Sequence, residues 1–269
     1  MDLFLLDTIK SVILGVVEGF TEFLPISSTG HLILVNQFIF FDKDFTFLFD
    51  IVIQLGAILA VLVYFWKRLW PFSANSEENK KTLDIWYKTI VGVLPAIVIG
   101  GLFAGTIETK LFNPWVVALA LLVGGLIILF IERKRPEAKI TSINNLSFKT
   151  AFFIGLIQCL SMIPGTSRSA ATIIGAMVLG ASRLVATEFS FFLAIPTMLA
   201  ASAYSLLKYG ASVSAQQFLV LAIGFIVSFI VALAVIKFLI NYVKNNNFKI
   251  FGWYRIALAI IIIIYFFSK

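Results

Sequence analysis

Glu18 and Glu22 stand four residues apart, just ahead of the run Pro25-Ile-Ser27-Ser28-Thr29-Gly30-His31. Much further along, Pro164-Gly-Thr166-Ser167-Arg168-Ser169 follows a second apolar stretch. The four-residue spacing puts both carboxylates on one helix face. Such a pair in apolar surroundings keeps one acid neutral or recruits a cation, so Glu18 and Glu22 are the candidate metal ligands. His31 is the only histidine of the chain. A lone histidine is often structural, but this one follows Ser28 by three residues at a helix start. From there, close to the carboxylates, it is placed to accept a hydroxyl proton. Arg168 has two readings. It forms a salt bridge to Glu18 or Glu22 that ties the chain together, or its planar fork clamps a phosphate beside hydroxyls and helix N-termini. Ser27, Thr29, Thr166, Ser167 and Ser169 are each a helix cap, a phosphate donor or both. Gln54 is added to the substrate-binding set, although Gln54, Gln158, Arg183 and Glu188 all have a ready structural use. Arg183 is expected to cap a helix end, and Asp50 to lie at the interface.

The elements that position these groups are set by composition. Hydrophobic residues make up 60% of the chain, charged residues 13%, and the mean hydropathy is +1.01. A soluble domain carries about 25% charged residues. Apolar runs occur at Phe47–Trp66, Ile90–Phe103, Val116–Ile131, Phe189–Leu207, Phe218–Ile240 and Ile256–Phe267, against a requirement of about 20 residues per span. The chain is therefore an all-α polytopic membrane protein, and charged groups at such depth signal function. The net charge of +7 does not point to nucleic acid. Its basic residues cluster in Lys67–Lys88, Arg133–Lys149 and Lys237–Arg255, between or beside the spans, as topology demands. The single cysteine, Cys159, excludes an internal disulfide or a Cys-rich metal site. Walker, zinc and dinucleotide-binding patterns are absent. No basic segment followed by a small-residue cleavage site opens the chain, so a removable signal peptide is not expected.

The two polar stretches resemble one another. Aligned on Pro25 and Pro164, Ser28 falls opposite Ser167 and Thr29 opposite Arg168. Gly15-Val-Val-Glu18 also parallels Gly155-Leu-Ile-Gln158, one residue out of phase, and Phe49 onward loosely parallels Phe189 onward. Residues 1–269 thus form one membrane domain of two repeats, 1–140 and 141–269. Lys67–Lys88 and Arg133–Lys149, with five Lys/Arg each, are assigned to the cytoplasm. The first polar stretch then begins and ends outside, and the second inside. About six transmembrane helices plus two re-entrant helical hairpins account for the chain, as an inverted-topology repeat with both termini outside. Pro25 and Pro164 end helices, Gly30 and Gly165 permit the turns, and the hydroxyl residues cap the next helices. Two helix N-termini meeting at mid-membrane make an anion site.

At these residues the chain resembles the undecaprenyl pyrophosphate phosphatases of the bacitracin-resistance type. Glu18-x-x-x-Glu22-Phe-Leu-Pro-Ile-Ser-Ser-Thr-Gly-His31 matches that family's first signature, and Pro164-Gly-Thr-Ser-Arg168-Ser its second. Weaker echoes lie around Gln54, Pro114 and Glu188, and the likeness covers essentially the full length. One departure is Ala170, where the pattern usually has Gly. The resemblance implies hydrolysis of the C55 isoprenyl pyrophosphate to its monophosphate, which recycles the lipid carrier for cell-wall synthesis and gives bacitracin resistance. It implies a bacterial plasma membrane enzyme whose site faces outward, a divalent cation (Mg²⁺ or Ca²⁺), and dimers. By motif position, Glu22, His31 and Arg168 map onto its catalytic residues, and Glu18 and Ser28 onto supporting or nucleophilic ones. On that mapping Ser28 is expected to attack the terminal phosphorus, with His31 accepting its proton and Glu22 orienting His31; attack by water or by His31 itself, with Ser28 as a phosphate donor, stays open. A secondary transporter or lipid-phosphate flippase shares the inverted-repeat architecture, but has less need of a Glu/His/Ser cluster.

Overall fold

The computed structural model describes residues 3–73, 75–134, 137–209 and 213–268. A first hairpin joins α1 (Leu3–Thr21) to α2 (Ser28–Val35). The long α3 (Lys43–Tyr64), a single turn α4 (Trp66–Leu69), α5 (Ser76–Leu111) and α6 (Pro114–Lys134) follow. A second hairpin joins α7 (Phe148–Gln158) to α8 (Arg168–Val178), with a 3₁₀ turn at Cys159–Met162 between them. Then come α9 (Arg183–Tyr209), α10 (Ala215–Asn245) and α11 (Lys249–Phe267).

Among the described residues, six helices are long and apolar enough to cross a membrane, and each coincides with one of the six apolar runs. The protein is an all-α, multi-pass membrane protein. At 1.5 Å per residue, the 8 residues of α2 and the 11 each of α7 and α8 fall well short of a hydrocarbon core about 30 Å thick.

The long helices form a scaffold around both hairpins. α1 packs on α10 and α7 on α5, α3 lies against α9 and α10, α5 against α9, and α6 against α11. Two close crossings set the hairpins in place. A Cβ on Gly15 would lie 2.8 Å from the Gly224 carbonyl oxygen, and one on Gly155 would overlap the Gly92 carbonyl oxygen outright. Small residues at such contacts are how helices approach closely where water supplies no driving force. Gly155→Ala is therefore expected to force α7 from α5 and destabilise the fold by about 3 kcal/mol, the upper end for overpacking. Thermal melting of the purified protein checks this, and an unchanged melting temperature would contradict the crossing.

Polar contacts fasten the same scaffold. Ser11 donates to the Val220 carbonyl and Ser228 to the Ile53 carbonyl, each at 2.7 Å and buried. Edge-on aromatic pairs fill the centre, Phe23 against Phe191 at 5.3 Å and Phe65 against Phe192 at 5.0 Å between centroids. At the far end of α6, Arg183 donates through Nε and Nη2 to the two carboxylate oxygens of Glu132, at 2.9 and 2.5 Å. Glu132 also accepts from the Phe248 backbone N–H at 2.9 Å. Arg183 is thus part of a buried ion pair joining α6, α9 and the start of α11, not the helix cap expected from its sequence context.

Candidate active site

The two hairpin turns meet. Ser27 and Ser167 hold positive φ values of 74° and 69°, and both are N-caps. The Ser27 hydroxyl accepts from the Gly30 N–H at 3.2 Å, and that of Ser167 from the Ala170 N–H at 3.2 Å. The turns therefore correspond through Ser27 and Ser167, which places Ser28 opposite Arg168. This is the phase of the Gly15/Gly155 alignment, and it corrects the pairing read from the prolines. The reason is that a helix start is fixed by its cap, whereas a proline in the preceding turn can slide by a residue. The cap geometry also corrects the role assigned to Gly30. It lies inside α2, where its lack of a side chain admits Leu121, while Gly165 does take a left-handed φ of 91°.

Between the two helix heads runs a chain of hydrogen bonds. Ser28 Oγ donates to Glu22 Oε2 at 2.7 Å, and Arg168 Nη2 donates to Glu22 Oε1 at 3.0 Å. Arg168 Nη1 donates to the Ser190 carbonyl of α9 at 3.1 Å, and the guanidinium lies 5.6 Å from the centre of the Phe23 ring. Thr172, one turn into α8, shares a 2.5 Å contact with the Ser190 hydroxyl. The salt-bridge reading of Arg168 is thus correct for Glu22, and the fork is held by α9 as well. Its Nε is buried without an acceptor among the described residues, a donor that suits an anion. The first N–H groups of α2 and α8 add further donors, since a helix start has no carbonyls ahead of it.

Glu18 lies one turn before Glu22, 2% exposed, with Oε1 unpartnered among the described residues. Asp50 of α3 is close enough to act on it electrostatically and sits beside Asn36. Asp50 therefore stands on the acidic side of the site. Among the described residues no group of three His, Cys, Asp or Glu side chains has the arrangement of a metal cage.

His31 is wired differently from the sequence expectation. Its Nδ1 lies 2.7 Å from the Ser27 carbonyl and its Nε2 2.7 Å from the Tyr254 hydroxyl, with the two rings stacked at 5.6 Å. A carbonyl only accepts, so the neutral ring carries its proton on Nδ1 and Nε2 accepts from Tyr254. The group on the Ser28 hydroxyl is Glu22, not His31. Tyr254 of α11 and the Ser27 carbonyl engage both ring nitrogens of His31, while the chain reversal through Pro25 brings Glu22 back over the Ser28 hydroxyl.

The remaining candidates divide. Thr29, Thr166 and Ser167 are half-buried at the two helix heads. Ser169 is fully buried, donates to the Leu24 carbonyl at 2.8 Å and lies 3.0 Å from the Ser167 hydroxyl, so it bolts one hairpin to the other. Gln54, one turn beyond Asp50, takes no part in these hydrogen bonds among the described residues. Gln158 donates to Thr197 at 3.2 Å and Glu188 pairs with Arg68 at 2.5 Å, both structural. The Arg68–Glu188 pair lines a cleft of about 480 Å³ at the C-terminal end of α3, and none of its lining residues among those described belongs to a hairpin turn.

Sequence reasoning missed Tyr254 and Arg255. Arg255 is fully buried on α11 and donates to the carbonyls of Ala120 at 3.0 Å, Gly165 at 3.1 Å, Leu121 at 3.4 Å and Pro25 at 3.5 Å. A cation inside an apolar run was the available signal. It was read instead as the edge of a basic loop.

A multi-pass helical membrane protein with an acid, a hydroxyl and a guanidinium joined where two hairpins meet is the class that fold and site define. The profile of the bacitracin resistance protein BacA family matches residues 11–261. The chain is 51% identical to undecaprenyl-diphosphatase 1 of Clostridioides difficile (strain 630), over 98% of this chain and 97% of that protein. It is 49% identical to the undecaprenyl-diphosphatase of Lachnoclostridium phytofermentans (97% of each chain) and 46% identical to one from Enterococcus faecalis (98% and 99%). The chain belongs to the bacitracin resistance protein BacA family.

Proposed function

We propose that this protein is an undecaprenyl-diphosphatase, releasing inorganic phosphate from undecaprenyl diphosphate and returning the monophosphate carrier to cell-wall synthesis. The observation that carries the reading is the Ser28–Glu22–Arg168 chain between two helix N-termini. A transporter needs donors for an anion. It does not need a carboxylate seated on a serine hydroxyl.

In the reaction, the terminal phosphoryl group lies against Arg168 and the N–H groups heading α2 and α8. These donors face the charge that builds in the transition state. Ser28 Oγ attacks the terminal phosphorus, and its proton passes to Glu22 Oε2, already at hydrogen-bond distance. The bridging oxygen departs with the lipid monophosphate, taking up the proton that Glu22 received. Water then cleaves the phosphoserine and frees inorganic phosphate. Phe23 beneath the guanidinium and Ser190 behind it hold Arg168 in place. His31, pinned between Tyr254 and the Ser27 carbonyl, fixes the strained cap from which Ser28 projects.

A divalent cation suits the acidic side. Glu18 offers an unpartnered carboxylate oxygen, Glu22 has lone pairs beyond its two hydrogen bonds, and oxygen-only donors fit Mg²⁺ or Ca²⁺. Glu18 and Glu22 would hold the ion, with phosphate oxygens and water completing its shell, and it would supply positive charge to the diphosphate. The two halves read as inverted repeats, supported by the matched caps and the matched α1–α10 and α7–α5 crossings. With the basic loops inside, the site opens to the outer face of the bacterial plasma membrane.

Purified protein given the C55 isoprenyl diphosphate should release one phosphate per lipid and leave the monophosphate. Intact diphosphate moved across a vesicle membrane, with none hydrolysed, would overturn the reading in favour of a carrier. Chelator should suppress release and added Mg²⁺ or Ca²⁺ restore it. Glu18→Gln should raise the cation concentration needed by about tenfold, the scale on which a weakened metal site loses affinity. Full activity in chelator would remove the cation from the scheme.

A further inference from the structure

We infer that Arg255 is a positioning residue of the site, whose guanidinium sets the two hairpin turns against one another. Its side chain is fully buried, and none of the ion pairs among the described residues includes it. Among the described residues its hydrogen-bond partners are all backbone carbonyls: Pro25 in the first turn, Gly165 in the second, and Ala120 and Leu121 of α6. Removing a guanidinium from water into such surroundings is unfavourable, and carbonyl dipoles offset it only in part. An apolar side chain of similar volume would pack α11 on α6 without that penalty. What it would not do is link the turn before Ser27 and Ser28 to the turn before Arg168.

The link has a chemical consequence. Pro25 and Gly165 lie three residues before Ser28 and Arg168, the groups that must face one phosphoryl group from opposite sides. Their carbonyl oxygens carry partial negative charge close to where a diphosphate sits. The guanidinium draws both oxygens toward itself and away from the substrate, leaving N–H groups to head the turns. Gly124 makes room for it, since a Cβ there would overlap Arg255 Nη2. The residue before it on the same helix also reaches the first hairpin, because Tyr254 holds His31.

Two variants test this. Arg255→Lys keeps a cation but loses the planar fork, so it can no longer reach both turns. Gly124→Ala keeps the fork and displaces it from the other side. Each should lower kcat by about 10²-fold, the scale of an ångström-sized misplacement of reacting groups, with KM within about threefold. Hydrogen exchange should rise by about tenfold or more in residues 22–27 and 163–167 together, with α6 and α11 still protected. The kinetic arm rests on the diphosphatase reading, and the exchange arm does not. If the unaltered protein hydrolyses nothing while both turns loosen in the variants, that reading fails and the positioning role stands. Native kcat in either folded variant overturns the inference. So does exchange that rises along α6 and α11 without the turns. Should Arg255→Lys not fold, Gly124→Ala gives the same decision.

Discussion

Arg168→Ala is expected to lower phosphate release by about 10³-fold or more, within the range that a phosphoryl-clamping arginine contributes. Two losses combine. The substituted site lacks the fork that meets the phosphoryl oxygens as charge develops. Glu22, 7% exposed, is left without its cation at 3.0 Å. Breaking one side of a buried ion pair costs about 3–5 kcal/mol of stability, so kcat must be measured on protein shown to be folded. Arg168→Lys separates charge from shape. A lysine cannot donate to the Ser190 carbonyl and to Glu22 in one plane while facing a phosphate. It should recover no more than about tenfold of the loss, given that a single point charge replaces a fixed planar fork. Full recovery by lysine would mean that Arg168 supplies charge alone.

The second large effect is shared by Ser28 and Glu22. Ser28→Ala removes the proposed nucleophile, and Glu22→Gln removes the acceptor seated on it at 2.7 Å. Each should reduce kcat by about 10³–10⁴-fold, and the double variant should be hardly worse than either single one, as groups acting as a unit behave. Acid quench during turnover should trap phosphate on Ser28, and a parallel alkaline quench preserves any acid-labile phosphohistidine. Phosphohistidine at His31 would transfer the nucleophile's role, and near-native turnover by Ser28→Ala would give attack to water. Strict additivity of the two substitutions would mean that the 2.7 Å contact plays no part in the reaction.

How much of this was legible in the chain depends on the interaction range. The six spans follow from local apolar content, because any uninterrupted greasy run must leave water wherever it packs. Glu22, Ser28 and Arg168 were legible for the same energetic reason, since charge and clustered hydroxyls at membrane depth demand a purpose. The wiring among them was not. Ser28 meets Glu22 only because the turn through Pro25 folds back on α1, and His31 meets Tyr254, 223 positions away, only because α11 packs against α2. Ser169 illustrates the limit well. Its sequence context is that of a phosphate donor, yet its hydroxyl ends on the Leu24 carbonyl of the other hairpin.

By itself, the sequence determined the membrane class, the two hairpins with their capping serines, and which acid, hydroxyl and guanidinium are the candidates for the chemistry. These are decided by solvation and by backbone preferences acting within a few residues. The tertiary structure alone decided the one-residue register between the turns, the partner of each of these groups, and the place of Arg255 beneath both turns. Each of those depends on hydrogen bonds between segments far apart in the chain, and such bonds exist only once the helices have closed around them.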